Sequence, residues 1–510
     1  MKKILLLSLI FIGFQAISQD KKLAANYYES GNFEEALDLY VELANANPEN
    51  VDYNYRAGIC YLNTNLDKKK AVLFFQRVIK QSKFDPNAYY FLGMAYQFGL
   101  EFDKAIKAYE NFRERGMGSP DNLRQVSLQI MTCQNGKELV KFPVNVTFQN
   151  LGPEVNSAFA DYYPFVPANE SFILFNSRRD ENKEMLPNGN YPSSVFISEE
   201  AQGKFTKAQR VDLGFQGIEE VVGLTASGDT AIFYLENLNS FGDIFFAQKR
   251  KKGFKKPVKF DKTINSKYTE LAACISSDGR QLFFASDRPG GYGGLDLYLC
   301  QLLPNGKWGE PMNLGPKVNT PYDDDFPNLS PDGRTLYFSS KGHTSMGGYD
   351  IFKVDWNAEK RIFGSVMNLG YPINTPADNM NFRISSTGRY GYIAAHREDS
   401  YGDLDIYRVT FNDVESEYTV YTGKVMTPDS TFNFEDVLIQ VTDKDGEIYG
   451  DYIPNKRTGR YVMILPPGEY SLFVGAIGYN EHYEKLSVFD KSSFQAEVAK
   501  DFVLLPVDSE

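Results

Sequence analysis

The chain has 510 residues, of which 42% are hydrophobic and 15% aromatic, and its formal net charge is −12. That length exceeds what one apolar core usually holds, so two to four domains are expected. The acidic balance excludes nucleic acid as a partner, because neutralising phosphates needs a basic surface.

Residues 1–18 read as an export signal. Lys2 and Lys3 form a basic start, Ile4 to Phe14 an apolar stretch short for a membrane span, and Ala16-Ile17-Ser18 a small-residue cleavage site before Gln19. No Cys follows the apolar stretch, so no lipid anchor is expected, and no later run is long enough to cross a membrane. The expected setting is therefore export, with the mature chain soluble.

Residues 19–140 show helical periodicity with a repeat of about 34 residues. One copy carries Gly93, Tyr96, Ala105, Tyr109 and Phe112; another Gly58, Tyr61, Ala71, Phe75 and Val78; a third Gly31, Ala36, Tyr40, Leu43 and Pro48. Small residues that let helices approach, alternating with aromatics that fill the gap, are the tetratricopeptide pattern. A further helix from about Pro120 to Gln134 is expected to cap the array.

Residues 141–412 repeat a different unit: Ser-x-Asp-Gly-Arg, an aromatic strand, a Gly-rich loop, then Leu-Asp-Leu-Tyr or Tyr-Asp-Ile-Phe. The clearest copies start at Ser276 and Ser330. Turn glycines Gly228, Gly279, Gly333 and Gly388 are spaced by 51, 54 and 55 residues, and Gly is expected there because the turn needs positive φ. A unit of strand and turn cannot cover both faces alone, so the repeats should stack radially as a β-propeller. The last unit, ending at Tyr407-Arg408-Val409, lacks a fourth strand, and Val146 to Gly152 resembles one. Five blades closed by this early strand are expected, with six as the alternative.

From 418 to 507 alternating strands with Pro and Gly turns predict a small immunoglobulin- or transthyretin-like β-sandwich. The fold class is thus a multidomain α plus all-β chain: tetratricopeptide α-solenoid, β-propeller and β-sandwich. Four cysteines in an exported chain invite a disulfide. Cys274 and Cys300 fall on the first and third strands of one unit, however, and strands about 4.8 Å apart place next-but-one pairs beyond bridging. Buried free thiols are expected.

The Ser-x-Asp-Gly-Arg units resemble the TolB-like (WD-like) propeller repeat. Thr458-Gly459-Arg460-Tyr461, Leu465-Pro466-Pro467-Gly468-Glu469-Tyr470 and Gly478-Tyr479 resemble the carboxypeptidase regulatory-like domain. With the tetratricopeptide array in front, the order resembles PorE-like members of the OmpA family of Bacteroidetes envelope proteins. The resemblance implies periplasmic residence at the outer membrane and envelope partners, among them a PorP/SprF-like outer-membrane protein, in type IX secretion, gliding or a related assembly. The peptidoglycan-gripping OmpA-like domain that usually follows in that family is not seen after Leu504-Leu505-Pro506-Val507, and none of its residues is carried over.

No nucleophile elbow and no His-Glu-x-x-His zinc helix occurs, and the only histidines are His343, His396 and His482. The expectation is a protein without catalysis, cofactor or metal, acting as a scaffold for protein partners; the alternative is a propeller that binds peptidoglycan or glycan fragments. Arg179, Arg288, Tyr292, Tyr322, Lys341, His343, His396 and Arg397 fall in loops expected at one propeller mouth. They read either as a polar rim for an acidic or peptide partner or as loop residues whose arginines pair with blade carboxylates. Asp323-Asp324-Asp325 reads as strand-start chemistry, since alternation along a strand separates adjacent side chains.

Overall fold

The computed structural model describes residues 20–507 apart from 202–203, 216, 237–241, 252, 415–417, 429–431, 467 and 489–496. The export signal expected over residues 1–18 lies outside the described residues.

The N-terminal part is helical: α1 (20–29), α2 (Phe33–Ala46), α3 (Val51–Asn63), α4 (Ala71–Ile79), α5 (Asn87–Phe98), α6 (Phe102–Arg115) and α7 (Pro120–Leu139). Side-chain oxygens of Asn32, Asn50 and Ser119 accept from the first-turn N–H groups of α2, α3 and α7, which satisfies donors a helix start leaves unpaired. Consecutive helices from α2 onward pack against one another. A Cβ on Gly58 would stand 2.6 Å from the Phe75 ring, and one on Gly93 2.7 Å from the Tyr109 ring. Glycine is what lets α3 meet α4, and α5 meet α6, at that distance. α7 runs five residues beyond the Gln134 limit expected from sequence. Its added turn has tertiary support: Gly136 admits the Phe102 ring, and the Asn135 amide donates to the Ser345 carbonyl 2.9 Å away.

Five antiparallel meander sheets follow. Sheet 1 contains Asp161–Phe165, Phe172–Ser177 and Ser194–Ala201, sheet 2 Ile218–Leu224, Thr230–Glu236 and Ile244–Gln248, and sheet 3 Glu270–Ile275, Gln281–Ser286 and Asp296–Gln301. Sheet 4 contains Asp324–Leu329, Thr335–Ser340 and Asp350–Asn357, and sheet 5 Arg383–Ile384, Tyr390–Ala395 and Asp405–Phe411. The outer edge of sheet 5 is Val146–Asn150, paired antiparallel with Asp405–Phe411 from Val146 opposite Phe411 to Asn150 opposite Tyr407. A strand from before the first sheet thus completes the last.

Each sheet shares an apolar core with the next. Phe165 and Phe233 meet between sheets 1 and 2, Ile232 and Phe284 between 2 and 3, and Phe283 and Phe352 between 3 and 4. Ile351 and Phe382 meet between sheets 4 and 5, and Ile406 and Phe175 between 5 and 1. Five sheets with five such interfaces form a closed, propeller-like ring. Gly228, Gly279, Gly333 and Gly388 all have φ near +70°, the turn conformation that favours glycine.

The outermost strands of sheets 2, 3 and 4 that continue the meander are short, at Val258–Lys259, Met312–Asn313 and Met367–Asn368. They leave one N–H near the start of each third strand without a ladder acceptor, and a buried asparagine supplies it. Asn319 accepts from the Leu297 N–H at 2.8 Å and donates to the Leu297 carbonyl at 3.0 Å. Asn265 does the same for Ile244, Asn374 for Ile351 and Asn156 for Ile406. Asn150, Asn313 and Asn368 hold three of these clamps and donate in turn to Asp405, Asp296 and Asp350.

The C-terminal part forms two further sheets. One joins Arg460–Leu465, Thr419–Met426, Glu497–Ala499 and Phe502–Val503; the other joins Ile448–Tyr452, Leu438–Asp443, Gly468–Gly475 and His482–Val488. They enclose one core that includes Val425, Ile439, Met463 and Leu472. The four cysteines are buried free thiols. Among the described residues no helix is long and apolar enough to cross a membrane.

Asn319→Ala should orphan the buried Leu297 N–H and lower stability by about 2 kcal/mol, read as a lower urea midpoint, while Lys262→Ala at an exposed site should leave the midpoint unchanged.

Candidate functional site

The ring has two unlike ends. The Ser-x-Asp-Gly-Arg turns meet the C-terminal sheets: the Thr458 hydroxyl donates to Asp229 at 3.0 Å and Arg280 to the Glu435 carbonyl at 2.8 Å. The loops after the second strands meet the helices. Gln97 donates to the Met346 carbonyl at 3.0 Å, and the Asn65 amide bonds the Asp403 carboxylate.

Between α3, the segment 65–69 that follows it and α5 on one side, and the helix-facing end of sheets 5 and 1 on the other, lies a cleft of about 760 Å³. Tyr162 and Tyr163 form its floor, their rings edge-to-face at 4.8 Å. Arg178, Asp378, Lys68 and His396 stand around it. The Tyr162 hydroxyl donates to Glu220 at 2.7 Å, and burial raises the Glu220 carboxyl above the ordinary carboxylate range. Lys68 is pushed down by burial and partly restored by Asp403 and Asp378. Its ammonium donates to the Leu62 carbonyl at 2.6 Å. The wall therefore offers cations, carboxylates and amides around an aromatic floor.

Of the eight loop residues singled out from sequence, His396 and Arg397 line this cleft. His396 has Nδ1 2.8 Å from the Asp403 carbonyl, and the Arg397 guanidinium stacks 3.5 Å from the Phe148 ring centroid. Arg179 and Arg288 are turned into the ring. Arg179 pairs with Asp161 and donates to the Val155 carbonyl at 2.6 Å; Arg288 pairs with Glu270 at 2.9 Å and donates to the Ile264 carbonyl at 2.8 Å. Lys341 pairs with Asp323 at 2.8 Å. His343 has Nε2 2.8 Å from the Val318 carbonyl and lies against Phe338 and Phe352; burial lowers its pKa. Tyr292 is half exposed, its N–H donating to Asp296, and the half-buried Tyr322 donates its N–H to Thr320.

The Gly-rich loops answer to close approach as well as to turn chemistry. A Cβ on Gly293 would overlap the Tyr322 carbonyl, and one on Gly347 the Pro376 carbonyl. The next linker runs directly over each loop.

Lys68, Arg178 and Asp378 were not reached from sequence, because they come from three separate elements. Arg178 alone left a signal: it adjoins Arg179, and neighbouring residues of an extended chain point to opposite sides. Arg179 takes the carboxylate inside, and Arg178 reaches the cleft.

No protein-family model matches the chain, and no curated protein matches it. Among solved structures it is similar to a thermostable family-43 glycoside hydrolase, at 15% identity and a TM-score of 0.34 over 54% of this chain and 95% of that one. It is also similar to an α-L-arabinanase of Penicillium chrysogenum complexed with arabinobiose, at 10% identity and a TM-score of 0.31 over 53% and 100%. The WD40 repeats of RRP9 match at 9% identity and a TM-score of 0.29 over 52% and 97%. These likenesses concern a propeller-like fold. They also correct one expectation: the chain was expected not to be an enzyme, and glycoside hydrolases stand among its structural neighbours. The exclusion rested on motifs for nucleophile elbows and zinc helices. Hydrolysis of a glycosidic bond needs a pair of carboxyl groups that leave no short motif.

Asp324 and Asp325 begin the inner strand of sheet 4, and burial pushes both up to about 7. A carboxyl whose pKa is higher folded than unfolded holds its proton better in the folded state. Each therefore favours folding increasingly as pH falls from about 7 toward the ordinary range near 4, and opposes it above. Denaturation of the wild type should show stability falling as pH rises across that window. Asp325→Asn, which keeps an oxygen for the Phe326 N–H, should flatten part of the fall; an unaltered slope would contradict the assignment.

Proposed function

We propose that this protein binds an oligosaccharide, a peptidoglycan or other glycan fragment, in the cleft between its helices and its ring. The observation that carries the reading is the cleft itself. Its 760 Å³ falls within the range of small-ligand sites. Its wall sets Arg178, Asp378 and Lys68 about a tyrosine floor. Sugar hydroxyls both donate and accept, so they need cations, carboxylates and amides together, and an aromatic face suits the apolar side of a sugar ring.

In this reading residues 19–140 are a tetratricopeptide array, 141–412 a five-bladed TolB/WD-like propeller and 418–507 a transthyretin- or immunoglobulin-like sandwich. The PorE-like resemblance adds the periplasmic face of the outer membrane as the setting. A scaffold role in secretion or gliding, with an outer-membrane partner of the PorP/SprF kind, is the second reading. The helices cover one end of the ring and the C-terminal sheets approach the other. That arrangement supports a small ligand at the ring mouth and leaves the helical array to any protein partner.

Titration calorimetry with muropeptides and with neutral oligosaccharides tests the proposal. One of the two classes should bind. Arg178→Ala and Asp378→Asn should each weaken binding about tenfold, the loss of one charged hydrogen bond, without lowering the melting temperature. Absence of binding by both classes, or binding indifferent to both variants, would remove the cleft reading. Reducing-end release in the same mixtures reads whether the bound glycan is also cleaved.

A further inference from the structure

The inner strands of the five sheets line the ring axis, and residues at matching positions form layers. Four residues beyond the equivalent positions Asp161, Glu219, Glu270, Asp324 and Asn379 stand Phe165, Gly223, Cys274, Asn328 and Arg383. This layer lies toward the C-terminal sheets, at the opposite end of the axis from the oligosaccharide cleft.

Arg383 is only 4% exposed. Its guanidinium carbon lies 4.1 Å from the centroid of the Phe165 ring, and one terminal nitrogen donates to the Asn328 amide oxygen. Its Nε has no hydrogen-bond partner among the described residues. Among the described residues, no carboxylate contributes to its electrostatic surroundings; the one ionisable group that does is the Cys274 thiol. Burial raises that thiol's pKa, so it stays neutral at neutral pH. The other polar groups are already committed: Asn328 Nδ2 donates to the Phe382 carbonyl at 2.9 Å, and Cys274 Sγ accepts from the Leu329 N–H at 3.2 Å.

Beside the guanidinium is a cavity of about 20 Å³, bordered by Arg383, Asn328, Cys274, Ser277 and Ser330. Such a space admits one water or one monatomic ion. A water would leave a buried cation with no compensating charge, an arrangement that burial penalises heavily unless the ion is paired. Phe165 supplies only the partial negative charge of a ring face.

We propose that this axial cavity is a binding site for a monovalent anion the size of chloride, held by the Arg383 guanidinium. The anion neutralises the one cation of the layer and ties sheet 5 to its neighbours at the centre of the ring.

Bromide replaces chloride and scatters anomalously, so crystals of the full chain grown in sodium bromide provide a direct test without any variant. An anomalous peak within hydrogen-bond distance of the Arg383 guanidinium is expected; density there without anomalous signal, or none, would overturn the site. In solution the wild type should melt about 3 °C higher in chloride than in gluconate at equal ionic strength, because only the folded state binds the ion. Asn328→Asp places a carboxylate against Arg383 and should abolish that difference. Equal melting of the wild type in both salts, or a chloride response undiminished in Asn328→Asp, would each count against the proposal.

Discussion

The ring depends on a side chain doing the work of a missing strand. Leu297, Ile351, Ile406 and Ile244 each open a third strand, just beyond an aspartate, where the outer strand is too short to complete the ladder. An unpaired buried peptide group there would cost about 1–3 kcal/mol. The asparagine amide has the same donor and acceptor as a peptide: its oxygen takes the N–H that lacks a ladder partner, and its nitrogen shares the carbonyl with a linker N–H. It sits in the linker to the next sheet, so the same contact fixes where the next inner strand begins. Sheet 1 departs from the scheme: its linker carries no such asparagine, and Arg210 instead pairs with Asp180 at 2.6 Å and Glu219 at 2.8 Å.

A ring built this way has an axis lined by five inner strands, and polar groups along it are divided between the ends. Glu220 and Asp325, at equivalent positions of their inner strands, lie toward the helices, and Arg383 lies toward the C-terminal sheets. Between them Tyr163 packs on Phe326 at 4.4 Å and its hydroxyl approaches the Met380 sulfur. Tyr163 and Phe326 both hold positive φ, a conformation costly for residues with a side chain, and it lets the aromatic rings plug the axis. The two ends are therefore separate environments, a wide cleft on one side and a small cavity on the other.

The helices contribute walls to the cleft, and they are placed by polar contacts that match main-chain groups of the ring. Gln97 shows how tightly these are coupled. Its amide nitrogen donates to Thr132 on α7 and to the Met346 carbonyl in the ring, while its oxygen accepts from the Tyr109 hydroxyl. One buried amide thus ties three helices to a propeller loop, and the cleft inherits its shape from that fit.

Local patterns carried much of the architecture. Glycine spacing marked the turns, the small–aromatic alternation marked where helices approach, and the lone strand at Val146 was readable as the partner that Tyr407 to Val409 lacked. The pattern Asn-Leu-Gly-x-x-Val/Ile-Asn, at 150–156, 313–319 and 368–374, was also there to be found. Its meaning was not, because the asparagine acts on a residue more than twenty positions away. The destinations of the loop arginines likewise needed tertiary structure: two adjacent arginines, 178 and 179, have the same chemistry and opposite fates. What the sequence determined alone is periodicity, since turns and helix contacts depend on near neighbours. What only the folded chain decided is which charges meet a partner and which face a cavity, since that depends on strands and helices brought together from hundreds of residues apart.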